Sequence, residues 1–133
     1  MDFNLAPDIK RLLRKIIRRV DLPHIDGQRI VCFRSHGSKS RAIARIWSLP
    51  RIWQKALKVE AHYCIEVLSQ RFDRLDQEEK IKVLIHELLH IPKNFSGSLL
   101  PHSGRRKFGI NQRNIDKLFK DFEKNNSYGF NSR

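Results

Sequence analysis

The sequence predicts a single α+β domain in which a small antiparallel or mixed sheet packs on an N-terminal helix and on a second, capped helix. Three observations support this fold class: a helical apolar stripe near the N-terminus, β-rich runs in the middle of the chain, and a capped helix after them. A length of 133 residues suits one domain over residues 1–133, with a flexible tail expected over about 125–133. The hydrophobic share of 40% and the charged share of 31% argue against intrinsic disorder.

The first predicted helix begins at Pro7, which suits a first-turn position, and ends before Pro23. One face is apolar at helical spacing and comprises Ile9, Leu12, Leu13, Ile16, Ile17 and Val20. The other face is basic and comprises Lys10, Arg11, Arg14, Lys15, Arg18 and Arg19. Two interpretations of the basic face stay open: the solvated side of a core-packing helix, or a surface that binds nucleic-acid phosphates or an anionic membrane.

Three β-rich runs are predicted to form the sheet. Residues 29–35 follow a turn and residues 41–48 alternate, so these two runs are predicted to pair as a hairpin. Residues 61–68 are the best strand candidate because of their β-branched and aromatic content. Residues 51–59 are predicted as a short helix, and the side chains expected to enter the core around it are Trp47, Ile52, Trp53 and Leu57.

The second helix is the best-defined element of the sequence. Asp76 and Glu79 form a capping box at its start. Its apolar face comprises Ile81, Leu84, Ile85, Leu88 and Leu89. Pro92 disfavours continuation, so the helix is predicted to end near Ile91. An irregular loop over residues 93–112, long enough to suggest a functional role, leads to a last helix predicted over residues 114–123.

Charge and cysteine content limit the classes of function. Lysine and arginine total 27 against 14 acidic residues, a formal net charge of +13 that favours a polyanionic partner such as nucleic acid. No apolar run approaches the roughly 20 residues that span a bilayer, and the N-terminus lacks signal-peptide regions, so a cytoplasmic protein is expected. Cys32 and Cys64 are isolated and are interpreted as buried thiols. A metal site must therefore be built from His, Asp and Glu.

An HExxH motif lies within the second helix, formed by His86, Glu87, Leu88, Leu89 and His90. At about 100° per residue, the two histidines lie about 40° apart on one helix face, so both imidazoles can reach one ion. Glu87 lies at the edge of that face, where it can act as a general base without being a ligand. This is the arrangement that a zinc hydrolase needs.

A third ligand is expected downstream of the motif. His102 lies in the irregular loop and is the preferred candidate, while Asp116 on the last helix is the alternative that would replace or supplement it. His24 and His36 have no partner at ligand spacing and are interpreted as structural or solvated. The sequence therefore predicts one Zn²⁺ per chain at His86, His90 and His102.

The motif also carries a resemblance to known proteins. The run from His86 to Pro92, with the later Phe95-Ser96-Gly97 and Pro101-His102, resembles the zinc metallopeptidases predicted in archaea and phages. More distantly it is similar to the SprT-type zincins. The resemblance implies a minimal zincin-like fold, peptide hydrolysis, and protein or peptide substrates.

The same resemblance implies where the substrate binds. In zincins the strand before the active-site helix is an edge strand that pairs with an extended substrate. By resemblance this strand is residues 61–68, with tentative substrate contacts at His62, Tyr63, Cys64 and Ile65.

Two rival functions stay open. The first is a zinc-dependent nuclease or other hydrolase that acts on nucleic acid, supported by the basic charge. The second is a non-enzymatic, basic nucleic-acid-binding protein with a structural zinc, which a fourth ligand such as Asp116 would favour.

Overall fold

The computed structural model describes residues 2–102 and 109–129, with side chains described as far as residue 125. The chain forms four strands and five α-helices within these residues. In chain order they are β1 (Asp2–Leu5), α1 (Pro7–Arg19), β2 (Ile30–His36), β3 (Ala44–Ser48), α2 (Arg51–Leu57), β4 (Tyr63–Leu68), α3 (Ser69–Phe72), α4 (Gln77–Leu88) and α5 (Gln112–Gly129). The predicted α+β class is confirmed.

The four strands form one mixed sheet in the order β1-β2-β4-β3. β2 runs antiparallel to β1 and parallel to β4, and β3 runs antiparallel to β4. The predicted hairpin between residues 29–35 and 41–48 is therefore wrong, because β4 lies between these two strands. The reason is burial: Ile65 and Val67 of β4 are fully buried, and the strand with the most buried residues takes an interior position.

α1 and α4 pack on the sheet, α5 packs on these two helices, and together they form the core. The buried residues that α1, α4 and α5 contribute include Leu13, Ile16, Leu84, Ile85, Leu88, Phe119 and Phe122. Asp76 caps α4 by accepting a hydrogen bond from the Glu79 N–H at 2.9 Å, as the sequence predicted. The core thus holds α4, which carries the histidine motif, against the sheet.

The short helix α2 does not contribute to the core as predicted. Ile52, Trp53 and Leu57 are 75%, 54% and 57% exposed, and no residue of α2 is buried. Trp47 is also half exposed, and its indole Nε1–H donates to Glu66 Oε1 at 2.9 Å instead of packing in the core. The sequence prediction failed here because aromatic content was equated with burial.

The remaining differences concern helix ends and the tail. α4 ends at Leu88, so His90 lies in the turn that follows the helix, with its N–H bonded to the Glu87 carbonyl at 3.1 Å. α5 continues to Gly129, and the flexible tail predicted from about residue 125 is therefore helical as far as residue 129. Residues 130–133 lie outside the described residues. Among the described helices, none has the length and apolar content needed to cross a bilayer.

Candidate metal centre

Three histidines converge where α4 ends. His86 lies in the last turn of α4, His90 in the turn that follows, and His102 at the far side of the loop. Their ring centroids are 4.6–5.3 Å apart in all three pairs. One ligand atom from each ring lies within 4.8 Å of the others, and within the described part of the chain this is the group of side chains suited to hold a metal ion.

The spacing of the nitrogens fits a tetrahedral ion. His86 Nε2 lies 2.9 Å from His102 Nε2. Two nitrogens bound at about 2.0–2.1 Å to one tetrahedral metal lie about 3.3 Å apart, so for this pair a shift of a few tenths of an ångström suffices. A ligand atom of His90 lies within 4.8 Å of both. The residues present therefore fit a small divalent cation with imidazole ligands.

The backbone of the loop orients the second histidine. His90 Nδ1 lies 2.6 Å from the Leu100 carbonyl oxygen, and the Leu100 N–H donates to the His90 carbonyl at 2.7 Å. A neutral imidazole that donates from Nδ1 has its lone pair on Nε2, where it can bind a metal. These two bonds thus select the ligand atom of His90 and also fix the chain two residues before His102.

The loop between the second and third histidines is held by residues far away in sequence. The Tyr63 hydroxyl accepts from the Gly97 N–H and donates to the Ser98 carbonyl, both at 2.9 Å. Gln54 Nε2 donates to the Ser96 carbonyl at 3.1 Å. Gly97 has φ +97°, and a Cβ there would come within 2.3 Å of Gln54 Nε2, so only glycine fits without a local shift. These contacts hold in place the segment that carries His102.

Glu87 lies in an apolar setting in α4 and follows His86 directly in the sequence. It is 7% exposed, and burial raises the pKa of its carboxyl to about 7. A base whose pKa lies near neutrality is well matched to proton transfer at physiological pH. The Glu87 side chain can therefore both hold and release a proton in this environment.

The electrostatics of His86 and His90 favour neutral rings. Burial lowers the pKa of His86 to about 4, with further lowering from His90 and His102. Burial also lowers the pKa of His90. Because a metal binds the neutral imidazole, the lowered pKa values of these two rings favour the state that binds an ion.

The other predicted site residues lie elsewhere. Asp116 Oδ1 pairs with Lys82 Nζ at 3.1 Å and accepts from Gln112, and it does not join the histidine group. His24 Nε2 lies 3.2 Å from the Ile91 carbonyl, and His36 Nδ1 lies 2.9 Å from Ser69 Oγ, which fits the structural roles predicted for both. Cys32 and Cys64 are free thiols, the first buried and the second half-buried.

The predicted substrate-binding strand needs correction. β4 is hydrogen-bonded on both sides, so the tentative contacts at Tyr63, Cys64 and Ile65, with His62 just before the strand, do not lie on an edge. Tyr63 is fully buried and its hydroxyl is engaged by the loop. The edge strand on this side of the sheet is β3, which pairs with β4. The roles of Tyr63 and Gln54 as anchors of the loop carried no sequence signal, although Gly97 marked the turn that they hold.

The basic face of α1 is only partly available for binding. Lys10 turns inward, and its Nζ donates to the carbonyls of Gly27 and Ile30. The guanidinium of Arg19 lies over the ring of Phe122, 5.0 Å from its centroid. The exposed basic residues of this face are Arg11, Arg14, Lys15 and Arg18. Lys10 is thus not part of a binding surface, contrary to the prediction.

Three histidines converge at the end of a helix that packs on a mixed sheet, one from the helix, one from the turn after it and one from the loop, and they define a candidate metal-binding enzyme centre. The chain belongs to the family described as "Putative phage metallopeptidase", whose model matches residues 1–129. This membership confirms the resemblance to phage-type metallopeptidases, and indicates a peptidase that uses a metal ion and acts on protein or peptide substrates. The comparisons with curated proteins and with solved structures give no match.

Proposed function

We propose that this protein is a zinc-dependent metallopeptidase with one Zn²⁺ per chain, bound by His86, His90 and His102. The observation that carries the proposal is the convergence of their ligand atoms within 4.8 Å of one another. Three histidine ligands leave a fourth position for water or substrate, as in catalytic zinc sites. The buried carboxylate of Glu87 in the same helix supports a hydrolytic role and a zincin-like site.

In the proposed reaction, the zinc ion would activate water and the substrate carbonyl, and residues of the chain would transfer the proton and orient the ligands. When bound, a zinc ion lowers the pKa of a coordinated water to about 7 and polarises a carbonyl oxygen. Glu87 takes the proton from the attacking water and delivers it to the nitrogen of the leaving amine. The Leu100 carbonyl keeps the His90 ring in the tautomer that presents Nε2. The candidates for stabilising the oxyanion are Tyr63, His62, Arg105 and Arg106. The Tyr63 hydroxyl is already engaged by the loop, and Arg105 and Arg106 lie outside the described residues.

The free edge of β3 is the proposed binding site for an extended substrate. The Ile43 carbonyl accepts from the Leu68 N–H at 2.9 Å, and the Leu49 N–H donates to the His62 carbonyl at 3.2 Å. Along an antiparallel strand, the N–H and C=O groups of successive residues point alternately to one side and to the other. Ile43 and Leu49 direct these groups toward β4, so every second residue between them, starting with Ala44, directs its groups toward the open side. These residues are Ala44, Ile46 and Ser48. β3 also packs against α4, which carries His86.

Replacing Ser48 with proline tests this edge. The substitution removes an N–H that faces away from β4, and proline is tolerated at such edge positions. We expect kcat/KM for an extended peptide to fall about three- to tenfold, the value of one backbone hydrogen bond. Ser48→Ala is the matched control, because it removes the hydroxyl and keeps the N–H. Equal kcat/KM in the two variants would exclude pairing at this position.

The substrate class is tested by offering the zinc-loaded protein two polymers. We expect a reduced, unfolded protein to be cleaved and single-stranded DNA to stay intact, and a zinc chelator to stop cleavage. His86→Ala is the control for contaminating peptidases, since it removes a ligand from the same purified chain. Cleavage of DNA alone would establish the rival nuclease function, and zinc binding without cleavage of either polymer would establish a structural site.

The basic surface supports nucleic acid as an additional partner. Beside the exposed residues of α1, basic side chains recur along α5 at Arg113, Lys117 and Lys120, on the face opposite the buried Ile115 and Phe119. This spacing gives a basic stripe on the outer side of the helix. Binding of DNA through such contacts would weaken steeply as the salt concentration rises.

A further inference from the structure

The loop between His90 and His102 contains two residues with a left-handed backbone. Phe95 has φ +47° and Gly97 has φ +97°. Glycine adopts this region freely, whereas a bulky side chain enters it only at a cost in free energy. Such a conformation persists where the surrounding contacts hold the backbone, and it occurs often at functional sites. The contacts around Phe95 therefore keep this loop in a conformation that phenylalanine alone disfavours.

Tyr63 is at the centre of these contacts. The buried ring of Phe95 packs edge-to-face on Tyr63 with centroids 5.1 Å apart, and the Arg29 guanidinium lies 4.7 Å from the Phe95 centroid. The Tyr63 hydroxyl accepts from the Gly97 N–H and donates to the Ser98 carbonyl, both at 2.9 Å. Tyr63 itself is 1% exposed and belongs to β4, which is paired on both sides. One side chain of the sheet thus contacts the loop at three positions.

The path from these contacts to the third histidine is short and stiff. A single residue separates Ser98 from Leu100, which is bonded to His90 through both its N–H and its carbonyl. Pro101 follows, and its ring fixes its own φ and restricts the backbone of Leu100. His102 comes next in the chain. A displacement of Ser98 would therefore be passed on to the His102 imidazole.

We propose that Tyr63 is a positioning residue of the metal centre, and that its hydroxyl raises the zinc affinity by holding His102 at the distance from the other two histidines that one ion requires. This inference rests on the three ligands of the proposed function. The Tyr63 hydroxyl is engaged by the backbone of the loop, so Tyr63 acts through His102 and not as a ligand. A buried residue of the sheet then sets how tightly the centre binds its ion.

A double-mutant cycle on zinc affinity tests this role. The Kd for Zn²⁺ is measured by competition with a chelator in the wild type, Tyr63→Phe, His102→Ala and the double variant, each shown to be folded by circular dichroism. Phe keeps the aromatic ring and removes only the hydroxyl. We expect Tyr63→Phe to weaken zinc binding about tenfold, as loss of a partner that orients a ligand does. In the His102→Ala background the same substitution should change Kd by less than about twofold, because the ligand through which Tyr63 acts is gone.

Ser35→Ala is the matched control for the loss of a buried hydroxyl. Ser35 is also 1% exposed, and its hydroxyl donates to Glu66 and makes no contact with the loop. Its removal should lower the melting temperature and leave the zinc Kd unchanged. An unchanged Kd in Tyr63→Phe would overturn the inference, and so would an equal loss of affinity with and without His102. Zinc binding by the wild type without cleavage of peptides would instead overturn the proposed peptidase function and leave this inference standing.

Discussion

Replacement of Glu87 by Gln is expected to lower kcat for peptide hydrolysis at least about a thousandfold, within the range that general-base catalysis contributes, while leaving zinc bound. Gln preserves the volume of the side chain but cannot accept the proton of the attacking water. The proposed metal ligands are His86, His90 and His102, so the substitution leaves their number unchanged. Single-turnover kinetics and zinc content per chain, measured on the same preparation, check both halves of this result.

A buried glutamate outside the site provides the control for this substitution. Glu66 is 1% exposed, accepts from Ser35 and Trp47, and shares no hydrogen bond with the histidine cluster. Glu66→Gln should therefore keep kcat within a few fold, since the amide oxygen can accept from Trp47 Nε1–H and the amide NH2 can donate to the Ser35 hydroxyl. Turnover that persists in Glu87→Gln would contradict the role of Glu87 as the general base.

The pH dependence of stability, measured on the metal-free wild type and on metal-free Glu87→Gln, tests the raised pKa of the Glu87 carboxyl group independently. Burial raises the pKa of Glu87 from 4.5 to about 7, so between these values the unfolded chain has lost a proton that the folded chain retains. The free energy of unfolding therefore decreases as pH rises through this window. Gln has no proton to lose, and metal-free Glu87→Gln should be more stable than the wild type at pH 8 by up to about 3 kcal/mol. Burial lowers the pKa of His86, so the contribution of His86 to the free energy of unfolding increases with pH. This contribution is the same in both proteins and cancels when they are compared.

Replacement of His102 by Ala is expected to weaken zinc binding at least about a hundredfold, because it removes one of three nitrogen ligands. The loss should also appear as stability. At a zinc concentration a thousand times Kd, bound metal stabilises the native state by about 4 kcal/mol, and the variant should lose most of this increment. Competition with a chelator of known affinity and thermal unfolding with and without zinc measure the two effects.

Asp116→Ala is the control for that experiment. Asp116 pairs with Lys82 on the neighbouring helix, away from the histidine group, so its removal should leave the zinc affinity unchanged. If Asp116→Ala lost zinc and His102→Ala retained it, the third ligand would be the carboxylate and the proposed centre would be wrong.

The features that depend on residues close together in the sequence could be predicted. The stripe from Ile9 to Val20 predicted α1, and the cap at Asp76 predicted the start of α4, because both signals depend only on residues a few positions apart. Helical geometry also predicted that His86 and His90 lie close together, and they do so although His90 lies in the turn just after α4. His102 was predicted because a catalytic zinc site needs a third protein ligand and few other residues downstream of the motif could supply it.

The order of the strands and the contacts between residues far apart in the sequence could not be predicted. Which strand lies in the interior depends on the competition for buried positions, and the apolar content of residues 61–68 indicated a strand without showing that it is paired on both sides. Nothing adjacent in sequence links Tyr63 or Gln54 to the loop that they hold. The exposure of Trp53 was missed because apolar and aromatic content does not distinguish a buried side chain from an exposed one.

The most direct test of the account is X-ray absorption spectroscopy at the zinc edge on the zinc-loaded protein. The account predicts a first shell of nitrogen and oxygen at about 2.0–2.1 Å with the outer-shell scattering of three imidazoles, falling to two in His102→Ala. A sulfur ligand at about 2.3 Å, which would implicate Cys32 or Cys64, or an imidazole count that His102→Ala leaves unchanged, would contradict it.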